Sequence, residues 1–301
     1  MAEMAGGFLF VDKPSGMTSH DVVAALRRAL GVRRVGHAGT LDPMATGLLV
    51  VAVGRATRLI RFVQDLPKEY RARVMFGVAT DTLDADGAVL WREPMPFTEA
   101  ELNEVLPRFV GAVLQVPPMV SAVRVGGRRL HELHRAGETV ERQPRPVEIE
   151  RISVEEFAPG DYPEAVLSVR CGKGTYVRVL ADDVAAGLGG RAHLCGLRRT
   201  AVGSIAADGD AIALDDLVNA IRDGQDRLHR AEAGLRDLPE VRVEGETARG
   251  VRHGASFGFG LEAPTYGPFR VHDDEGGLLA VYRVEGRLAV PEVVLNAGSA
   301  G

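Results

Sequence analysis

The stretch GHAGTLDPMATG at residues 36–47, followed by the uncharged run LLVVAV at 48–53, decides how the rest of the chain reads. Six consecutive apolar residues are of strand length and predict a strand. The twelve residues before it read as a loop. Its glycines let backbone come close to a large ligand, and Pro43 restricts Asp42 to extended conformations. A lone loop aspartate ordinarily makes a turn or caps a helix. Upstream, residues 7–11 read as a second strand, short and buried, closed by Lys13-Pro14-Ser15-Gly16. Ser19 is the expected N-cap of a helix from about His20 to Leu30, with Val22, Val23, Leu26 and Leu30 at helical spacing and Gly31 ending the run. Downstream, the pattern predicts a short helix over 56–64, a strand over 70–76, an acidic turn over 77–87 and a helix over 98–109. Thr98 and Glu101 form a capping box for that last helix. Residues 147–157 and 165–171 alternate like paired strands, and 176–188 and 213–221 read as helices. Helices and strands alternate irregularly with several hairpins, which predicts an α+β fold with a mixed or antiparallel sheet.

The chain has 301 residues, 46% hydrophobic and 26% charged, enough for sizeable cores and about two domains. Composition shifts near 235–240, and short strands at 269–272, 278–284 and 288–291 suggest a small β-barrel-like second domain, with residues 296–301 as a frayed tail. No stretch approaches the ~18 uncharged apolar residues of a membrane span, and the N-terminus lacks the basic region of a secretory signal. The two cysteines, Cys171 and Cys195, are too few for a disulfide framework or a four-cysteine zinc site, and they fit a reducing, cytoplasmic setting.

A net charge of −5 taken alone argues against nucleic acid, but the distribution does not. Residues 22–61 carry seven Arg and one Asp, residues 122–145 six Arg and three Glu, and residues 171–200 five Lys or Arg and two Asp. Basic segments on an acidic body are the pattern of a phosphate-binding surface, although charge clusters also arise simply as solvated helix faces.

Other motifs carry less. Gly254-Ala255-Ser256-Phe257-Gly258 matches G-x-S-x-G, but the Gly- and Pro-rich residues after it offer no helix for a nucleophile elbow. Thr82, Asp84, Asp86, Gly87 and Glu93 resemble a calcium loop, yet Thr82 stands where an aspartate is required and the segment after Gly87 reads as a strand. An acidic hairpin turn is the simpler reading. No histidine pair has metal-ligand spacing, and no Walker or dinucleotide glycine motif sits in its required context.

The loop at 36–47 resembles the signature of the bacterial TruB type of tRNA pseudouridine synthase, and it does not stand alone. GFLFVDKPSGMTSHDVV, KEYRARVMFGVATDTLDADG, QVPPMVSAVRVGGRRLHEL and CGKGTYVRVLADDVAAGLGGRAHLCGLRRTAVGSI resemble further segments of that family, in the family's order, over roughly residues 7–205. The resemblance implies a mixed, largely antiparallel sheet flanked by helices over 1–234, including an RNA-binding loop at about 120–145, and a small PUA-like RNA-binding domain over 235–301. It implies isomerisation of the uridine at position 55 in the T-loop of tRNA, by base flipping and by cleavage and re-formation of the glycosidic bond. No cofactor or metal is implied, and a monomer is expected.

By the same resemblance Asp42 is the catalytic aspartate and nucleophile. A carboxylate also suits removal of a sugar proton at C2′, and the sequence does not choose between the two. Arg178 is its expected partner. Tyr70 supplies a stacking face and a candidate acceptor for the C5 proton; Tyr176 and Leu197 line the same pocket. His37 would help hold the target nucleotide out of its stack, Lys13 would support the pocket, and Lys68 would contact phosphate. Arg33, Arg34, Arg124, Arg128, Arg129, Arg198 and Arg199 are the expected contacts with the RNA backbone. Val120 and His134 depart from the family's usual residues, which leaves loop contacts open but lies outside the expected pocket chemistry. Two alternatives share this scaffold: a non-catalytic tRNA-binding chaperone, and the archaeal or eukaryotic branch that modifies guided RNA.

Overall fold

The computed structural model describes residues 6–121, 123–138, 140–258 and 267–295, without the side chains of residues 124, 125, 129, 131, 134 and 135. The tail expected at 296–301 lies outside the described residues. Among the described residues ten strands form the principal sheet. Its central order is Gly7–Lys13, Thr46–Val53, Ala192–Val202, Lys68–Phe76, Glu164–Cys171, Arg145–Ala158 and Gly111–Gln115, with Ile212–Ala213 outside the first. Two of its pairings are parallel, Gly7–Lys13 with Ile212–Ala213 and Thr46–Val53 with Ala192–Val202; the others are antiparallel. The expected mixed, largely antiparallel sheet is therefore present.

The apolar stretches 7–11 and 48–53 are buried on both faces, and the pleat shows how. Leu9, Val11, Leu49, Val51 and Val53 join the core under the helix Ser19–Leu30, whereas Phe8, Phe10, Leu48, Val50 and Ala52 join a second core on the opposite face. Val281 and Val293 of the C-terminal region complete that second core. The C-terminal region itself is a five-stranded sheet from Glu240–Arg242 to Leu288–Val294, with its own cluster around Phe269, Val271 and Tyr282. A helix at Gly245–Arg252 was not anticipated, because only Ala248 and Val251 of GETARGVR face the core.

Several boundaries differ from the sequence reading. Thr18, not Ser19, caps the first helix. Its hydroxyl accepts from Asp21 N and the Asp21 carboxylate accepts from Thr18 N, so the box is complete one residue earlier. The predicted helix over 56–64 divides into a 3-10 segment Gly54–Leu59 and a helix Ile60–Asp65. The loop expected over 36–47 is shorter, because Val35–His37 pairs with Thr46–Val53 and the latter strand begins at Thr46. Gly47, at φ +95°, is required here: a Cβ would lie 2.3 Å from the Arg199 carbonyl oxygen of the adjoining strand. Among the described residues no helix is long and apolar enough to cross a membrane.

Candidate active site

Residues 38–45 form the loop that presents Asp42, and buried polar contacts fix it from below. Lys13 is fully buried at the end of its strand, and its ammonium donates to the carbonyls of Pro14 at 2.8 Å, Met17 at 2.6 Å and Pro43 at 3.2 Å. Burial pulls its pKa down to about 8, with Asp42 acting in the opposite direction. Ser19, released from capping, uses its hydroxyl twice on the residue before the aspartate. It accepts from Leu41 N at 2.8 Å and donates to Leu41 O at 3.2 Å.

The carboxylate of Asp42 meets a guanidinium end to end. Arg178 Nε donates to Oδ2 at 2.9 Å and Nη2 to Oδ1 at 3.1 Å. Arg178 is the second residue of the helix Val177–Gly187 and its side chain is only 2% exposed. Its other contacts are Nη1 to Thr82 O at 2.8 Å and Nη2 to Val120 O at 3.0 Å, with Asp84 Oδ2 3.5 Å from Nη1. A buried arginine with all three nitrogens engaged holds one orientation. Burial raises the Asp42 pKa from its ordinary value. The adjacent Arg178 works against that rise and favours the ionised carboxylate, while Asp84 adds to it. The Asp42 side chain keeps 32% of its surface exposed, and that surface opens on a cavity.

The cavity has a volume of about 500 Å³ and brings together Asp42, Tyr70, Tyr176, Arg178 and Leu197, as the sequence reading expected. Tyr70 stands on the strand Lys68–Phe76, directly opposite Arg199 in the register, and burial raises the pKa of its phenol. Tyr176 is the N-cap of the helix that carries Arg178. Its backbone is held by a buried side chain: Gln115 Oε1 accepts from Tyr176 N at 3.0 Å, and Gln115 Nε2 donates to Tyr176 O at 3.3 Å.

Other expected residues fall elsewhere. Arg199 is 1% exposed; its guanidinium donates to Leu48 O at 2.7 Å and Gly39 O at 3.2 Å, so it is part of the cavity wall and not a surface contact for RNA. Lys68 is also buried in that wall. It donates to Leu66 O at 2.6 Å and to Gln64 O, so two of its three donors are taken by backbone and the residue is only 6% exposed. Lys13 supports the Asp42 loop without lining the cavity. Val120 does line it and holds Arg178 through its carbonyl, so this departure lies within the pocket and not outside it. His37 stands outside the lining, edge-on to His20 with ring centroids 5.8 Å apart. Arg33 and Arg34 are exposed, Arg128 pairs with Glu138 at 3.0 Å, and Arg198 meets Asp12 through two bonds of 2.9 Å. The side chains of Arg124, Arg129 and His134 lie outside the described residues.

Asp84, Gln115 and Ser19 were not identified as site residues from the sequence. Asp84 was read as part of an acidic turn, and a hairpin does follow, with Val78–Thr80 pairing with Val89–Arg92. The carboxylate is nonetheless 6% exposed and faces Arg178. Among the described residues no group of three His, Cys, Asp or Glu side chains could hold a metal ion.

Residues 27–177 match the family model described as TruB family pseudouridylate synthase, N-terminal domain. A protein of Symbiobacterium thermophilum named tRNA pseudouridine synthase B is 48% identical over 256 residues, covering 85% of this chain and 84% of its own. One of the same name from Thermobifida fusca is 42% identical over 302 residues, covering 98% of this chain and 100% of its own. A solved structure described as a Cbf5-Nop10-Gar1 complex contains a chain that superposes with a TM-score of 0.75 at 26% identity, over 97% of this chain and 85% of that one.

Proposed function

The chain belongs to the TruB family of pseudouridylate synthases, and from that premise we propose that it isomerises a uridine of tRNA, at position 55 of the T-loop, to pseudouridine. The observation that carries the site assignment is the Asp42 carboxylate, gripped at both oxygens by a buried arginine and still open to a cavity of about 500 Å³. The reaction is redox-neutral. The N1–C1′ bond breaks, the base turns, C5 joins C1′, and the proton lost from C5 is balanced by one gained at N1.

Each wall has a task in that sequence. Arg178 favours the ionised form of Asp42 and aims it, so the carboxylate reaches the ribose either as nucleophile at C1′ or as base at C2′. Tyr70, Tyr176 and Leu197 offer apolar faces to an everted pyrimidine, and such contacts offset part of the few kcal/mol that eversion costs. Tyr70 would accept the C5 proton only as its phenolate, a form that burial disfavours, so the ring's stacking face is the role we assign to it. We take residues 1–234 as the catalytic part and 235–301 as the PUA-like RNA-binding part, in a cytoplasmic monomer. Arg33 and Arg34 are the exposed candidates for backbone contacts.

The test is tritium release from a tRNA transcript carrying C5-tritiated uridine, with site-resolved mapping of the product. The wild-type chain should release tritium from one T-loop position. Asp42→Asn should bind the transcript and release none; turnover by that variant would overturn the assignment.

A further inference from the structure

Among the described residues four cations line the cavity, and three of them are spoken for. Lys68, Arg178 and Arg199 are each at most 6% exposed and are engaged with backbone carbonyls or with Asp42. Lys173 differs. It lies in the turn between the strand Glu164–Cys171 and the helix Val177–Gly187, and its side chain is 70% exposed. Its ammonium donates to Asp65 Oδ1 at 2.6 Å, and Asp65, the last residue of the helix Ile60–Asp65, is 61% exposed. Both residues line the cavity, so this ion pair joins two separate elements at its mouth.

A nucleotide within an RNA strand carries a phosphate on each side of its ribose. When its base and sugar enter a cavity of about 500 Å³, those phosphates stay at the opening with the rest of the strand. An ammonium bonds to a phosphate oxygen as it does to a carboxylate oxygen. An ion pair exposed on both sides is weak enough to exchange partners. Gly174, next to Lys173, has φ +83°, and a Cβ built there meets nothing within 4 Å, so the strand has room to approach.

We propose that Lys173 is the phosphate contact at the cavity mouth and that Asp65 occupies it in the free protein, to be displaced by the RNA backbone. Asp65 then acts as a brake on binding. It neutralises the lysine before RNA arrives and repels the phosphate that replaces it. The inference rests on the RNA-modifying role proposed above.

Binding of a tRNA transcript, measured across a salt series for wild type, Lys173→Ala, Lys173→Arg and Asp65→Asn, tests this. Lys173→Ala should weaken binding by about three- to tenfold and lower the slope of log Kd against log salt by about one. Lys173→Arg should restore both. Asp65→Asn should tighten binding several-fold, with its melting temperature unchanged. In turnover assays the Lys173→Ala loss should fall on KM and not on kcat. A Lys173→Ala variant with wild-type affinity and salt slope would overturn the proposal. So would an Asp65→Asn variant that binds more weakly and melts earlier, which would make the pair a structural brace. If the wild-type chain forms no pseudouridine in tRNA, the functional reading fails. If it does and the variants behave alike, only the exchange at Lys173 fails.

Discussion

At the floor of the cavity Asp42 meets Arg178 at 2.9 Å, and at its mouth Asp65 meets Lys173 at 2.6 Å. By distance alone the mouth is the closer contact. Solvent reverses the ranking. The floor arginine is 2% exposed, whereas both partners at the mouth are more than half exposed. Removing one member of a buried pair typically costs about 3–5 kcal/mol, because the other charge is left stranded. An exposed pair is worth roughly 0.2–1 kcal/mol. The floor therefore holds a geometry, and the mouth offers a charge. This division suits a site that must keep one carboxylate still while a polyanion comes and goes.

The largest effects should come from breaking the floor. Asp42→Asn retains the shape and the tRNA affinity but removes the negative charge, and tritium release should fall below detection. Arg178→Lys keeps a cation but cannot grip both carboxylate oxygens or reach Thr82 and Val120 together. Misplacement of a reacting group by about 1 Å costs on the order of 10²-fold, so kcat should fall by about that factor. Affinity for tRNA should change little. A variant that loses affinity and keeps kcat would move Arg178 from the floor's role to the mouth's.

These floor residues differ in how far the sequence disclosed them. Asp42, Tyr70, Tyr176, Arg178 and Leu197 were legible through resemblance, since a lone loop aspartate ordinarily makes a turn or caps a helix; the structure gathers all five around one cavity. Arg199 was misread because it follows Arg198 and the two were counted as one basic patch. In a strand, neighbours point to opposite faces. Leu197 and Arg199 are buried while Arg198 is not, an alternation that belongs to the strand Ala192–Val202, which the sequence pattern did not disclose. Asp84 had no such signal. It comes to Arg178 through long-range packing that sets Asp84 beside Leu194, and a linear reading sees only an acidic turn. The same division holds in the fold. The strands expected at 7–11 and 48–53, found at Gly7–Lys13 and Thr46–Val53, and the Thr98 capping box were plain from pattern, whereas the helix at Gly245–Arg252 has too few apolar residues to announce itself.

An intermediate effect should appear on alkaline titration, and it separates support of the floor from stability of the chain. Burial brings the Lys13 pKa from 10.5 to about 8. Between those values the unfolded chain binds the extra proton, so this lysine's contribution to stability rises with pH across the window. Lys68, also brought down to about 8 by burial, works in the same direction. Above pH 8 the Lys13 ammonium becomes an amine, with one donor fewer for the carbonyls of Pro14, Met17 and Pro43. The Asp42 loop loses part of its anchor, and kcat/KM should decline several-fold while the melting temperature does not decline in step. A parallel fall of both quantities would show that the limb reports unfolding and not Lys13.

The smallest effects come from two adjacent hydroxyls, of which the sequence pattern pointed to Ser19 as the cap and the structure gives that role to Thr18. Thr18 caps the helix Ser19–Leu30 at its exposed end, so Thr18→Ala should cost about 1 kcal/mol of stability and leave kcat unchanged. Ser19 is 1% exposed and bonds both backbone groups of Leu41, the residue before Asp42. Ser19→Ala strands a buried N–H and should cost about 1–3 kcal/mol. It should also lower kcat several-fold, because the loop carrying the carboxylate loses a fixed point beside it. Thermal melting and single-turnover tritium release on the two variants decide the matter. Equal stability losses with equal kcat would mean that the floor is held by Lys13 and Arg178 alone; a kcat defect confined to Ser19→Ala would extend the rigid floor to the start of the first helix.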